Sequence, residues 1–225
     1  MTRRGVLLFA AMGVIWGIPY LLIKVAVSDL SPVTLVFFRT AIGALLLLPL
    51  AAGRNSLAPL LPRWKLVIAY TLAEVAFPWV LLSDAERHLT SSLTGLLIAA
   101  VPFVGVILSW LTGAADRFDA RRIAGLVIGF IGVAALVGLN VSGSDLPAVG
   151  ELALVSIGYA VGPLIIARRL SDVPGIGVVA VSLTLPAIAY APFALTHLPP
   201  LMPGFQVLGA VAILGVVCTA VAFLL

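Results

Sequence analysis

Residues 13–39 read GVIWGIPYLLIKVAVSDLSPVTLVFFR, and this stretch decides the fold. An apolar helix is interrupted by Pro19 and carries Lys24 late in its course. It then turns through the polar SDLSP and gives way to a second apolar helix with Arg39 inside it. Apolar runs of this length leave no water for polar groups, so each break and each charge must be met by protein or by a water-filled cavity. Features of this kind line a path.

Composition agrees. The chain is 62% hydrophobic and only 10% charged, with a mean hydropathy of +1.23. A soluble domain has an apolar share nearer half and a charged share nearer a quarter, so this is an integral membrane protein with the lipid bilayer as its surroundings. Its 21 Gly and 15 Pro fit the same class. The single cysteine, Cys218, excludes an internal disulfide and any CxxC metal site. No His/Cys/carboxylate cluster, GxSxG or Walker pattern occurs, so neither a metal nor another cofactor is expected. The pI near 9.7 reflects basic residues placed in loops, where they act as topology signals rather than as a nucleic-acid surface.

Outward from the opening stretch, apolar runs occupy about 5–27, 32–53, 64–83, 89–113, 120–140, 148–170, 174–196 and 204–225. The joints between them, SDLSP, GRNSLAPLLPR, SDAERH, DRFDARR, NVSGSDLP, SDVPG and THLPPLMPG, are rich in turn formers. Eight spanning helices are expected. With the N-terminus in the cytoplasm, the inner segments hold Arg3, Arg4, Arg54, Arg63, Lys65, Arg117, Arg121, Arg122, Arg168 and Arg169, against Arg87 alone outside. That bias orients the chain N-terminus inward, in the plasma membrane.

A shift of 143 residues places Trp16 on Tyr159, Ser28 on Ser171, Asp29 on Asp172 and Pro49 on Pro192. The first copy holds five helices, an odd number, so the second starts on the opposite side of the membrane and the repeat is inverted. The expected fold is therefore an all-α polytopic membrane helix bundle on an inverted repeat of five helices. Residues 1–141 form the first repeat, and 142–225 form three helices of the second. A complete second copy would run about sixty residues further on the same repeat logic, so the chain reads as eight helices of a probable ten.

WGIPYLLIK, SPVTLVFFRTAIGALLLLPL, TSSLTGLLIAAVPFVGVIL and RRIAGLVIGFIGVAALV together resemble the EamA family of the drug/metabolite transporter superfamily. The resemblance implies ten-helix carriers built from two inverted five-helix repeats, which export amino acids, metabolites or drugs by alternating access. The chain departs from the family's frequent Gly-Glu pair between helices 4 and 5, with Gly113, Ala114, Ala115 and Asp116 there. The partner so implied is a small-molecule substrate, and a homodimer is compatible with it.

Intramembrane polar residues are the candidate machinery. Glu74 sits near the midplane of the third span, the only acid deep in one, where a carboxylate costs about 2.5–3.5 kcal/mol and needs a partner or a proton. Arg39, about 10 Å deep in the second span at 1.5 Å per residue, is within reach of it. An Arg39–Glu74 pair reads either as a structural tie between helices or as a substrate or proton site, in which a solute's carboxylate replaces Glu74. Trp16, Tyr20 and Lys24 recur every four residues on one face of the first helix, lining a cavity or packing; for Lys24 the plainer reading is a snorkelling anchor. Tyr70, Trp79 and Tyr159 are further wall candidates. Pro19, Pro78, Pro102 and Pro163 are expected to bend their helices. An intramembrane enzyme would need a second deep group matched to Glu74, and an inactive fragment or eight-helix scaffold is the remaining alternative.

Overall fold

Ser31 and Pro32 show how the turns of this sequence launch its helices. Ser31 Oγ accepts the Thr34 amide at 3.2 Å, and Pro32 takes the first helical position, where no amide donor is required. The helix so started, α3, runs Pro32–Gly53. A computed structural model describes residues 3–112 and 142–224, together with Ala124, Gly125, Val127–Gly129, Ile131, Gly132, Ala134 and Ala135 between them, all nine helical. The expected fifth span, its preceding joint and the Gly113–Asp116 turn lie largely or wholly outside the described residues.

The first span is α1 (Arg3–Gly17) and α2 (Pro19–Ala26). After α3, a 3-10 turn (Ala58–Arg63) leads into α4 (Trp64–Thr71), a π turn (Leu72–Ala76) and α5 (Phe77–His88), which form one continuous third span. The fourth is α6 (Ser91–Ile98) with α7 (Val101–Leu111). Then come α8 (Leu146–Arg169), α9 (Gly175–Thr196) and α10 (Phe205–Gly215), the last continued by a π turn, Val216–Val221. No strand occurs among the described residues. Among the described residues five helical segments are long and apolar enough to cross a bilayer, and Ala10–Ala26 and Phe205–Val221 are shorter apolar helices.

Three prolines fall where the helix ladder changes. The first span divides at Ile18, just before Pro19. Pro78 cannot donate to the Glu74 carbonyl, and the third span widens into its π turn immediately upstream. The fourth span divides at Ala99 and Ala100, ahead of Pro102. Pro163 behaves otherwise. Helix α8 continues through it without interruption, because a proline removes one hydrogen bond and neighbouring turns hold the rest. A second correction concerns SDAERH, read as a loop; it forms the last turns of α5, so the third span ends at His88.

The bundle is held by exchange between its two ends of sequence. Helix α3 packs along α9, α2 against α10, and the third span against α8. Asp29, after α2, accepts the Gly204 amide at the start of α10 at 3.4 Å. Asp172, after α8, pairs with Arg63 at the start of the third span. Each Ser-Asp turn thus touches the beginning of a helix in the other half of the sequence, and the shift of 143 places Arg63 on Gln206, two residues from Gly204. The two π turns open within one residue of the same spacing, at Leu72 and Val216.

Candidate functional site

Arg39 points into the bundle from the buried face of α3, between Val36 and Gly43, and is 7% exposed. Its guanidinium carbon lies 3.6 Å from the centre of the Trp79 ring on α5. Its Nε donates to Thr219 Oγ1 at 3.0 Å, and Thr219 in turn donates to the Leu214 carbonyl at 2.8 Å. That last bond spans five residues and exists because the helix widens into a π turn there. Tyr20, Tyr159 and Cys218 lie within electrostatic reach of the guanidinium. Five helices therefore contribute to one polar centre in an otherwise apolar core, two clusters of which meet at Tyr159.

The expected Arg39–Glu74 ion pair is absent. No carboxylate lies within 4 Å of Arg39 among the described residues. Depth alone suggested the pair, but azimuth decides it, and Glu74 sits in the π turn facing α8. Its Oε2 is buried with no hydrogen-bond partner and lies against the backbone of Gly162, where an added Cβ would stand 2.0 Å away. Gly158, one turn earlier, admits the Ala73 carbonyl, which would be 2.3 Å from an added Cβ. Two glycines on one face of α8 thus let the π turn approach backbone to backbone. Tyr159 has both Arg39 and Glu74 among its electrostatic neighbours.

The other expected residues separate into distinct settings. Tyr70 is buried with Leu60, Val67, Leu170 and Val178, one turn from Glu74. Tyr20 lays its ring over Gly95 at 3.5 Å from the place of an added Cβ. Trp16 is 58% exposed. The interruption at Ile18 breaks the four-residue stripe that was to join it with Tyr20 and Lys24, so Trp16 does not reach the polar centre. Lys24 is no free anchor. It donates to the backbone carbonyls of Glu86 and Leu89, the latter at 2.8 Å, and so caps the end of α5.

Several polar groups were missed from the sequence. Glu86, assigned to a loop, is fully buried, so Glu74 is not the only acid inside the bundle. Its Oε2 accepts from Ser91 Oγ at 3.0 Å, while Oε1 has no partner; the neighbouring Thr94 Oγ1 is likewise buried and unpartnered. An apolar run that stops at Ser83 hides this group. The Gly158/Gly162 spacing was visible but unremarked. Thr219 had no sequence signal. Clefts lined by Val25, Asp29 and Phe205, and by His88, Leu93 and Asp145, lie at the bundle end where α2 and α5 finish, apart from Arg39 and Glu74. Among the described residues no group of three metal-ligating side chains occurs.

Comparison with known proteins fits this arrangement. The model of the EamA-like transporter family matches residues 3–138. The uncharacterized transporter YvbV of Bacillus subtilis (strain 168) is 26% identical over 187 residues, covering 82% of this chain and 61% of its own length. The chain thus spans about 61% of that curated relative. A protein of known crystal structure matches over 99% of this chain and 78% of its own, with a TM-score of 0.73 and 20% identity. That likeness bears on the fold.

Proposed function

The chain belongs to the EamA-like transporter family, and from that premise we propose that it is a secondary transporter, not an enzyme. It carries a small organic metabolite, amino acid or drug outward across the plasma membrane by alternating access, with its N-terminus in the cytoplasm. Residues 1–141 and 142–225 act as two inverted halves, and the reciprocal packing of α2 on α10 and of the third span on α8 supports that division. Within this reading, Glu74 carries the coupling proton.

The observation behind the proton assignment is the buried, unpartnered Glu74 Oε2 in a π turn. An ionised oxygen left without a donor in the bilayer interior is unfavourable by several kcal/mol, and a proton removes the charge. The π turn supplies a helix segment whose pitch can change without dissolving the ladder. Arg39 stands in the neighbouring polar centre, and Tyr159 is an electrostatic neighbour of both groups.

The test is Glu74→Gln. In everted vesicles, solute-evoked proton movement followed with a pH-sensitive dye is lost in the variant, while membrane insertion and thermal stability match the wild type. Unchanged proton movement with unchanged pH dependence would assign Glu74 a purely structural role.

A further inference from the structure

The Arg39 guanidinium is only partly used by the protein. Nε donates to Thr219 and the flat face rests on Trp79. Among the described residues Nη1 and Nη2 donate to no acceptor, and no carboxylate lies within 4 Å. These two nitrogens are also absent from the sealed, unpartnered atoms of the core, so the residual exposure of this buried side chain lies at its outer fork. A guanidinium whose side edge and face are fixed, and whose fork is open, is oriented for a two-pronged partner.

We infer that the Nη1/Nη2 fork of Arg39 is the docking point for the carboxylate of the transported solute, and that this solute is a singly charged organic anion with a small apolar or aromatic body. The inference rests on the transporter reading and deepens it by naming the substrate class.

Charge count selects carboxylate over phosphate. Among the described residues Arg39 is the one cation of the polar centre, since Lys24 is committed to the carbonyls ending α5. A monoanion on Arg39 leaves the buried site neutral. A doubly charged phosphate would leave an uncompensated charge where the low dielectric makes it most unfavourable. The surroundings select the body. Trp79 stacks on the guanidinium, and Tyr20 and Tyr159 are its electrostatic neighbours, so the surroundings offer aromatic bodies and two phenolic hydroxyls to an apolar or aromatic solute. Trp79 also restrains the fork, so the solute does not have to immobilise a flexible arginine on binding.

The probes are benzoate, its neutral isostere benzamide, and phenyl phosphate, each titrated into the purified full chain in nanodiscs. Binding is read from tryptophan emission and from the shift in thermal unfolding. Benzoate changes the emission saturably and raises the unfolding temperature; benzamide does neither at the same concentrations. Trp79→Phe removes the emission change but keeps the thermal shift. Arg39→Lys keeps the charge and loses the fork, and weakens benzoate by about tenfold or more; its own unfolding curve in the absence of ligand reports that it is folded. Equal binding of benzamide and benzoate, or undiminished benzoate binding by Arg39→Lys, overturns the inference. Tighter binding of phenyl phosphate overturns the carboxylate assignment. The transporter reading survives all of these if solute-evoked proton movement persists in everted vesicles that carry the same protein, so the two can fail separately.

Discussion

The contact between α8 and the π turn makes a graded test, because two glycines one turn apart meet different atoms. An alanine Cβ at Gly158 would lie 2.3 Å from the Ala73 carbonyl oxygen and 2.9 Å from Pro78 Cγ. Neither neighbour is the mobile end of a side chain, so α8 or the π turn must withdraw. At Gly162 the Cβ would lie 2.0 Å from Glu74 Oε2 and 2.9 Å from its Cδ, and that carboxylate can swing aside. At Gly150, on the same helix, an added Cβ meets nothing within 4 Å. Each Gly→Ala change gains about 1 kcal/mol of helix propensity, against about 1–3 kcal/mol for overpacking where backbone blocks the way. Gly150→Ala is therefore neutral or stabilising, and Gly158→Ala is less stable than Gly150→Ala by about 1–3 kcal/mol. Gly162→Ala stays close to the wild type in stability while displacing the carboxylate and changing the pH dependence of proton movement. Thermal unfolding in one detergent, paired with the vesicle assay, reads both quantities. If Gly158→Ala and Gly150→Ala melted together, the close approach of α8 to the π turn would be refuted.

Three further outcomes follow from named contacts. Lys24→Met strips the Glu86 and Leu89 carbonyls of their donor and lowers stability by about 1–3 kcal/mol, with Lys24→Arg recovering part of it; equal melting of all three proteins would remove the capping role. Glu86→Gln, whose amide can donate to the unpartnered Thr94 hydroxyl, holds stability within about 1 kcal/mol of wild type, whereas a large loss would show that the carboxylate charge itself is required. Arg63 holds the Asp172 carboxyl below its ordinary value by hydrogen bonding and charge. A lowered folded value adds stability at neutral pH that is lost as pH falls through it, so Asp172→Asn flattens the acid limb of a stability profile; an unaltered limb would show that the pair contributes nothing.

Much of the fold was legible because the bilayer demands long apolar helices and turn formers mark their ends. Pro19 and Pro102 stood where helices divide, and Arg39, Trp79, Tyr20 and Tyr159, picked as polar or aromatic residues inside spans, converge in the structure. What failed was angular. Arg39 and Glu74 match in depth but face different neighbours, and a π turn rotates everything beyond it in a way that no hydrophobicity pattern records. The end of α5 was lost for a different reason. Ser83, Asp84, Glu86 and Arg87 look like solvent-facing residues, and only the tertiary partners Lys24 and Ser91 explain why Glu86 is inside. Pro163 shows the limit of reading prolines singly, since the same residue that ends one helix is absorbed by another.

The two Ser-Asp turns differ in one respect that ionic strength can address. Asp172 grips Arg63 through a charged fork, with Nη2 at 2.6 Å and a further bond to the Arg169 carbonyl at 2.9 Å, in a setting where both side chains meet solvent. Asp29 accepts only uncharged donors, the Ser28 hydroxyl at 2.9 Å and the Gly204 amide at 3.4 Å. Counterions weaken attraction between exposed opposite charges much more than a single contact to an uncharged donor. Added electrolyte therefore slackens the clasp between Asp172 and Arg63 and leaves the contact of Asp29 with Gly204 nearly as it was, so dissolved salt separates two turns that the sequence makes alike.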